Sequence, residues 1–109
     1  MKKHKDYFML PNKIFDLELK PRDFIVYSCL VRHKDNETHT CYPSRKLIAK
    51  ECCISPRTVD KALASLQSLG LIYLQNRKRV NGSNTTNLYT VTVLLENAAQ
   101  LTAPTVNSA

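Results

Sequence analysis

The chain has 109 residues, of which 43% are hydrophobic, and its formal net charge is +7 at pH 7. This length allows one small domain with a modest core. No apolar run reaches the roughly 20 residues that span a bilayer, and the basic start at residues 1–5 has no hydrophobic segment behind it, which excludes a secretory signal. We therefore expect a cytoplasmic protein with reduced cysteines and no membrane partner.

Two helices are predicted in the first third of the chain. Residues 11–17 favour a short helix, and residues 21–33 favour a longer one that begins with a proline. We expect the longer helix to pack behind the elements that follow it. The side chains predicted to face the core are Ile14, Phe15 and Leu17 in the short helix and Phe24, Ile25, Tyr27, Ser28, Leu30 and Val31 in the long one.

A tight helix pair is predicted in the middle of the chain. Residues 43–52 indicate a helix with Ser44 as its N-cap, and only Cys53 and Ile54 separate it from the next cap, Ser55. Two helices joined this closely must cross steeply, as they do in a helix-turn-helix. The inner face of the first helix is predicted to consist of Leu47, Ile48 and Cys52.

The second helix of this pair has the clearest sequence signals. Ser55 is a good N-cap, Pro56 suits the first helical position, and Gly70 suits a left-handed cap at the end. Val59, Ala62, Leu63, Leu66 and Leu69 recur at helical spacing and predict one buried face.

The opposite face of this helix is polar and cationic. It carries Arg57, Thr58, Lys61 and Ser65. Short polar and cationic groups near the start of a helix suit insertion into a DNA major groove. An ordinary solvent-exposed face is the alternative, so the flanking segments decide between the two.

A β-hairpin is predicted after this helix. Residues 71–75 and 87–93 have strand composition, and Asn81-Gly82 between them is a strong hairpin signal. Residues 40–42 are expected to add a short strand beside the hairpin. The connecting segment carries the cations Arg77, Lys78 and Arg79.

This order of elements resembles the small winged helix-turn-helix domains of bacterial, phage and plasmid proteins. The resemblance covers roughly residues 7–94, and it implies DNA binding, as in the N-terminal domains of replication initiators or in regulators. It rests on Tyr42-Pro43-Ser44, Leu47-Ile48-Ala49-Lys50-Glu51, Ser55-Pro56-Arg57-Thr58-Val59, Leu63, Leu66, Gly70-Leu71-Ile72 and Asn87-Leu88-Tyr89-Thr90-Val91.

The predicted fold class is mainly α with a small β-hairpin: a winged helix-turn-helix with a three-helix core and a wing of two or three strands. We assign residues 1–6 to a flexible basic start, 7–95 to the domain, and 96–109 to a disordered tail or linker. One position departs from the family. Cys53 stands where the family usually has glycine in the turn, so we expect a positive φ there, at a cost of on the order of 1 kcal/mol.

The positive charge is concentrated in the second half. Residues 44–95 contain eight Lys or Arg and two acidic residues, which gives a net charge of +6. Residues 1–43 contain eight Lys or Arg and six acidic residues, which gives a net charge of +2. A basic surface of this kind favours binding to a polyanion. The alternative explanation of the positive charge is that it serves solubility or causes non-specific binding.

Roles can be assigned to the candidate DNA contacts. Arg57 is the best candidate for a base contact, because its guanidinium group can donate hydrogen bonds to both acceptors of a guanine. The alternative is that Arg57 binds a backbone phosphate. Arg45 is expected to hold a backbone phosphate. The basic residues of the wing should bind phosphates or enter the minor groove. The alternative is that they are exposed to solvent at the tip of the hairpin and do not contact DNA. The full set is Arg45, Ser55, Arg57, Thr58, Lys61, Ser65, Arg77, Lys78 and Arg79.

Metal binding and catalysis are not predicted. His39, Cys41, Cys52 and Cys53 could supply zinc ligands, but Cys52 and Cys53 are adjacent, so their side chains diverge. The histidines have no evident catalytic partners, and no glycine-rich phosphate loop is visible. We therefore predict no cofactor, no metal and no enzymatic activity, and we interpret Cys29 and Cys52 as small core residues.

Three functions fit these observations. The leading one is sequence-specific binding to double-stranded DNA as a transcription regulator. The alternatives are the DNA-binding module of a plasmid or phage replication initiator and a winged helix used for protein contact. We expect a monomer or weak dimer when free, because no long dimerisation helix is visible. A single recognition helix covers only a short DNA site, so two copies of the protein pairing on DNA is an open alternative.

Overall fold

The computed structural model of the chain describes residues 6–76 and 87–92. A short 3-10 helix, Asn12–Leu17, precedes three α-helices and three strands. In chain order these are α1 (Pro21–His33), β1 (Thr40–Cys41), α2 (Arg45–Cys52), α3 (Pro56–Ser68), β2 (Ile72–Gln75) and β3 (Leu88–Val91). The predicted helical core with a small β-sheet in winged helix-turn-helix order is confirmed.

The strands form one antiparallel sheet in the order β1-β3-β2. Ile72 is opposite Val91 and Gln75 is opposite Leu88, so β2 and β3 make the predicted hairpin pairing. Thr40 of β1 is opposite Thr90 on the other side of β3, which confirms the short third strand. The Asn81-Gly82 turn, residues 1–5 and the tail from residue 93 lie outside the described residues.

The core lies where the three helices meet the sheet. In α3 the predicted stripe is buried at Val59, Ala62, Leu63 and Leu66, whereas Leu69 is 55% exposed because it lies at the C-terminal cap, after the last helical residue. The fully buried large side chains are Ile14, Val26, Tyr27, Leu30, Ile48, Val59, Leu66, Ile72 and Tyr89.

Three residues near the start of the chain that were predicted to face the core are exposed. Ile25 is 41% exposed and Val26 is fully buried, because the inward face of α1 follows the helical series Asp23, Val26, Tyr27, Leu30 and Val31. Phe15 and Leu17 are also exposed, at 69% and 37%. Residues 12–17 form a 3-10 helix, and Phe15 packs against the ring of Phe24 at the surface, with 5.1 Å between ring centroids.

The turn between α2 and α3 has the expected geometry. Cys53 adopts a left-handed conformation with φ of 59° and ψ of 41°, as predicted for the position where the resembling family has glycine. Its N–H donates to the carbonyls of Ala49 and Lys50, and the N–H of Ile54 donates to Ala49 at 3.1 Å. These bonds close the end of α2 and set the direction in which α3 begins.

We expect Cys53→Gly to stabilise the protein by up to about 1 kcal/mol. A side chain in the left-handed region costs about 1–2 kcal/mol, and the greater freedom of glycine in the unfolded chain offsets part of that gain. The Cys53 side chain is exposed, so little packing is lost. Urea denaturation followed by circular dichroism measures the difference.

Gly70→Ala is the matched control for this prediction. Gly70 has a φ of +74° and nothing lies within 4 Å of an added Cβ, so alanine there introduces backbone strain without a clash. It should destabilise the protein by about 1 kcal/mol. A loss of stability in Cys53→Gly would contradict the proposed strain in the turn.

Candidate nucleic-acid interface

Serine caps begin both helices of the helix-turn-helix. The Oγ of Ser44 accepts a hydrogen bond from the backbone N–H of Leu47, and the Oγ of Ser55 accepts one from Thr58, each at 3.1 Å. Both predicted N-caps are therefore confirmed. The hydroxyls of Ser55 and Thr58 are also 2.9 Å apart, so these two side chains form a hydrogen-bonded pair at the first turn of α3.

The outer face of α3 presents two cations. Arg57 and Lys61 are exposed, and they lie four residues apart, one helical turn, on the side opposite the buried stripe. Asp60 lies between them in sequence and is exposed as well. The core therefore uses one side of α3 and leaves the guanidinium and ammonium groups accessible on the other.

Arg45 has an ion-pair partner that the sequence did not reveal. Its Nε donates to Oδ1 of Asp60 at 2.7 Å and its Nη2 donates to Oδ2 at 2.6 Å, a two-pronged pair that joins α2 to α3. The hydrogen bonds to Asp60 raise the pKa of Arg45. The two side chains are about half exposed, at 49% and 54%, so the pair lies at the surface and phosphate could compete for the guanidinium.

Strand β3 passes close to this ion pair. Tyr89 is 1% exposed, and burial raises the pKa of its hydroxyl, on which the charges of Arg45 and Asp60 also act. Its side chain hydrogen-bonds to Asn87, the residue just before the strand.

Ser65 has a different environment from the one its helix position predicted. Its Oγ donates to Oδ2 of Asp23 at 2.8 Å, and Asp23 is a buried residue in the first turn of α1. Asp23 also accepts a bond from Nε of Arg22 at 3.1 Å. Because a buried carboxylate needs such donors, this contact gives Ser65 a packing role between α1 and α3.

Arg77, Lys78 and Arg79 lie outside the described residues, so their contact with DNA stays a prediction. The paired ends of β2 and β3, at Gln75 and Leu88, show where the connecting segment leaves and rejoins the sheet.

The four residues weighed as zinc ligands have separate environments. The thiol of Cys41 donates to the Leu30 carbonyl at 3.6 Å, that of Cys52 donates to the Ile25 carbonyl at 3.6 Å, and Cys53 is exposed. Nδ1 of His39 lies 3.3 Å from the ammonium of Lys34. Cys29 and Cys52 are buried as predicted.

A different polar cluster links α1 to α2. The thiol of Cys29 and Nε2 of His33 lie 3.3 Å and 2.7 Å from the same carboxylate oxygen, Oε1 of Glu51. Partial burial acts to raise the pKa of Glu51, but the hydrogen bonds from His33 and Cys29 hold it below its usual value. The sequence did not reveal that His33 has Glu51 as a hydrogen-bond partner. The four-residue spacing of Cys29 and His33 on one helix was the available signal.

Comparison with known proteins assigns the chain to a family. The family model described as "Helix-turn-helix domain" matches residues 17–72, just over half of the chain, so the chain belongs to the helix-turn-helix domain family. No curated protein sequence matches it. Within residues 6–76 and 87–92, no helix is long and apolar enough to cross a bilayer.

Three solved structures are similar to this fold. One is described as a possible transcriptional regulator from Methanosarcina mazei Go1, with a TM-score of 0.55 and 13% identity over 82% of this chain and 77% of that one. A MarR family regulator from Neisseria meningitidis has a TM-score of 0.47 and 22% identity over 72% of this chain and 49% of that one. ZitR from Lactococcus lactis, in its apo form, has a TM-score of 0.43 and 21% identity, and the match covers 73% of this chain and 52% of the ZitR chain. The chain thus spans about half the length of the latter two.

Proposed function

We propose that this protein binds double-stranded DNA through α3 and acts as a sequence-specific transcription regulator. The observation that carries the proposal is the exposed pair Arg57 and Lys61, one turn apart on the face of α3 opposite the core. In a helix-turn-helix the second helix lies in the major groove, and residues near its start contact base edges. Arg57 has the position and the donor geometry for that task.

The other contacts divide between bases and backbone. Lys61 and Thr58 follow Arg57 on the proposed reading face and would bond a base edge or a phosphate. Arg45 would reach a phosphate oxygen only by giving up its bonds to Asp60, which therefore competes with DNA for the guanidinium. Ser55 would contact DNA only by sharing a hydroxyl that already caps α3. The basic segment 77–79 would extend the contact to flanking phosphates or to the minor groove.

One observation supports DNA binding and a second supports regulation. The chain belongs to the helix-turn-helix domain family, whose second helix suits base reading. The Methanosarcina structure that shares the fold is described as a possible transcriptional regulator. The second observation supports the choice of a regulator over the other uses of DNA binding.

Fluorescence anisotropy with a labelled random duplex tests the proposal. We expect binding that weakens as salt rises, because cations on the protein release counterions from the phosphates. The double variant Arg57→Ala, Lys61→Ala should bind more weakly at every salt concentration. Absence of binding to any duplex at low salt would overturn the DNA proposal and favour a protein partner.

Selection from a random duplex pool tests the sequence-specific part. The wild-type protein should enrich a short shared motif at about 150 mM salt. A bound pool without any shared motif would contradict sequence reading while leaving DNA binding intact.

A further inference from the structure

The cluster of Cys29, His33 and Glu51 lies outside the proposed DNA interface. Cys29 and His33 are four residues apart on α1, so their side chains share one face of that helix, and Glu51 faces them from the last turn of α2. One sulfur, one ring nitrogen and one carboxylate oxygen lie within 4.8 Å of one another. Two elements thus direct three different ligand atoms toward one point.

We propose that Cys29, His33 and Glu51 bind a Zn²⁺ ion between α1 and α2. A thiolate, an imidazole and a carboxylate are all ligands that zinc accepts, and the mixture of soft and hard donors disfavours Mg²⁺ and Ca²⁺. Three protein ligands leave the fourth tetrahedral position to water.

The spacing of the ligand atoms is close to what zinc requires. With bonds of about 2.0–2.3 Å, tetrahedral ligands lie about 3.3–3.8 Å apart. The distance from Sγ of Cys29 to Oε1 of Glu51 is 3.3 Å, and the distance from Nε2 of His33 to the same oxygen is 2.7 Å. The sulfur of Cys29 and the ring nitrogen of His33 already face the same oxygen of Glu51. A movement of the Glu51 carboxylate away from them by less than about 1 Å would therefore give the spacing that a bound ion requires.

The protons of this cluster must leave when the ion binds. The Cys29 thiol loses its hydrogen to solvent and binds as thiolate. His33 must present the lone pair of Nε2, so a neutral ring carries its hydrogen on Nδ1 and a charged ring gives up one proton. Glu51 binds as carboxylate. The divalent cation then replaces the hydrogens that hold the three side chains together.

The surroundings leave a route for the ion. Cys29 is 6% exposed at the inner end, whereas the side chains of His33 and Glu51 are 12% and 22% exposed. Nη1 of Arg32 lies 3.5 Å from Oε1 of Glu51 and would repel the cation, but its side chain is 41% exposed and can turn into solvent. Cys52 is left out of the set because its sulfur is not one of the ligand atoms that lie within 4.8 Å of one another, and its thiol donates to the Ile25 carbonyl at 3.6 Å.

Titration of the untagged, metal-free protein with Co²⁺ and with Zn²⁺ tests the site. Co²⁺ should produce a thiolate-to-metal charge-transfer band and ligand-field bands of a tetrahedral site, and Zn²⁺ should abolish both. Zn²⁺ at 100 times its Kd should raise Tm by on the order of 10 °C.

Variants identify the ligands. Cys29→Ser, which keeps the side-chain size, should remove the charge-transfer band, and Glu51→Gln should weaken Zn²⁺ binding at least tenfold. Cys53→Ser is the matched control, since it removes an exposed thiol outside the cluster and should change neither signal. Arg32→Gln should tighten binding by removing the competing cation.

The wild-type titration decides the question even where a variant fails to fold. A wild-type protein with no charge-transfer band and no change in Tm would show that the cluster is only a hydrogen-bond network between α1 and α2. Equal affinity in the wild-type protein and folded Cys29→Ser would also overturn the proposal, because the metal would then be bound elsewhere. Neither result depends on DNA binding.

Discussion

Arg57→Ala should abolish base preference at one position of the bound DNA site while preference at the other positions remains. A guanidinium fork bonded to both guanine acceptors contributes about 1–3 kcal/mol of discrimination, which corresponds to about a 5- to 150-fold change in affinity. Arg57 is exposed at the second position of α3, where no described contact of the core depends on it. The loss should therefore fall on recognition and leave the free energy of unfolding nearly unchanged.

The measurement compares sites selected by the wild-type protein and by the variant from the same random pool. Arg57→Lys is the matched control, because it keeps the positive charge and removes the planar fork. It should bind random duplex almost as well as the wild-type protein and still lose the preference. A uniform loss of affinity across all sequences in Arg57→Ala would instead identify Arg57 as a phosphate contact.

Ser65→Ala provides a contrast on the same helix. It removes the hydroxyl that donates to buried Asp23, so we expect it to lower stability by about 1–3 kcal/mol without altering the selected motif. A change of motif in this variant would place Ser65 on the reading face after all.

Local signals in the sequence predicted the helix-turn-helix well. Ser44 and Ser55 cap their helices and Gly70 ends α3 in a left-handed conformation, because each of these features depends on residues within a few positions. The left-handed conformation of Cys53 was predicted in a different way, from the glycine that the resembling family usually has at this position of the turn.

Side-chain partners between elements could not be predicted in the same way. Ser65 and Asp23 are 42 residues apart in sequence, His33 and Glu51 are 18 apart, and Arg45 and Asp60 are 15 apart. Helical periodicity assigns each residue to a face, but the crossing of two helices decides which faces meet. Ser65 shows the consequence, since a position at the edge of the predicted polar face bonds to the neighbouring helix.

Asp60→Asn should strengthen binding to random duplex by about tenfold at low salt. The substitution removes a negative charge from the face proposed to meet phosphates, where like charges would be strongly unfavourable, and it weakens the two-pronged bond that holds Arg45. With Arg45 free to bond a phosphate, the slope of log affinity against log salt should become steeper by about 0.9.

Anisotropy titrations over a salt series measure both effects. Asp16→Asn makes the same change in net charge on the exposed side of the 3-10 helix and should have little effect, which separates a local contact from overall charge. Arg45→Ala combined with Asp60→Asn should lose the added slope, because the gain depends on the arginine. Weaker binding in Asp60→Asn would mean that Asp60 holds Arg45 in its phosphate-binding position, and the ion pair would then be a part of the interface and not a competitor of DNA.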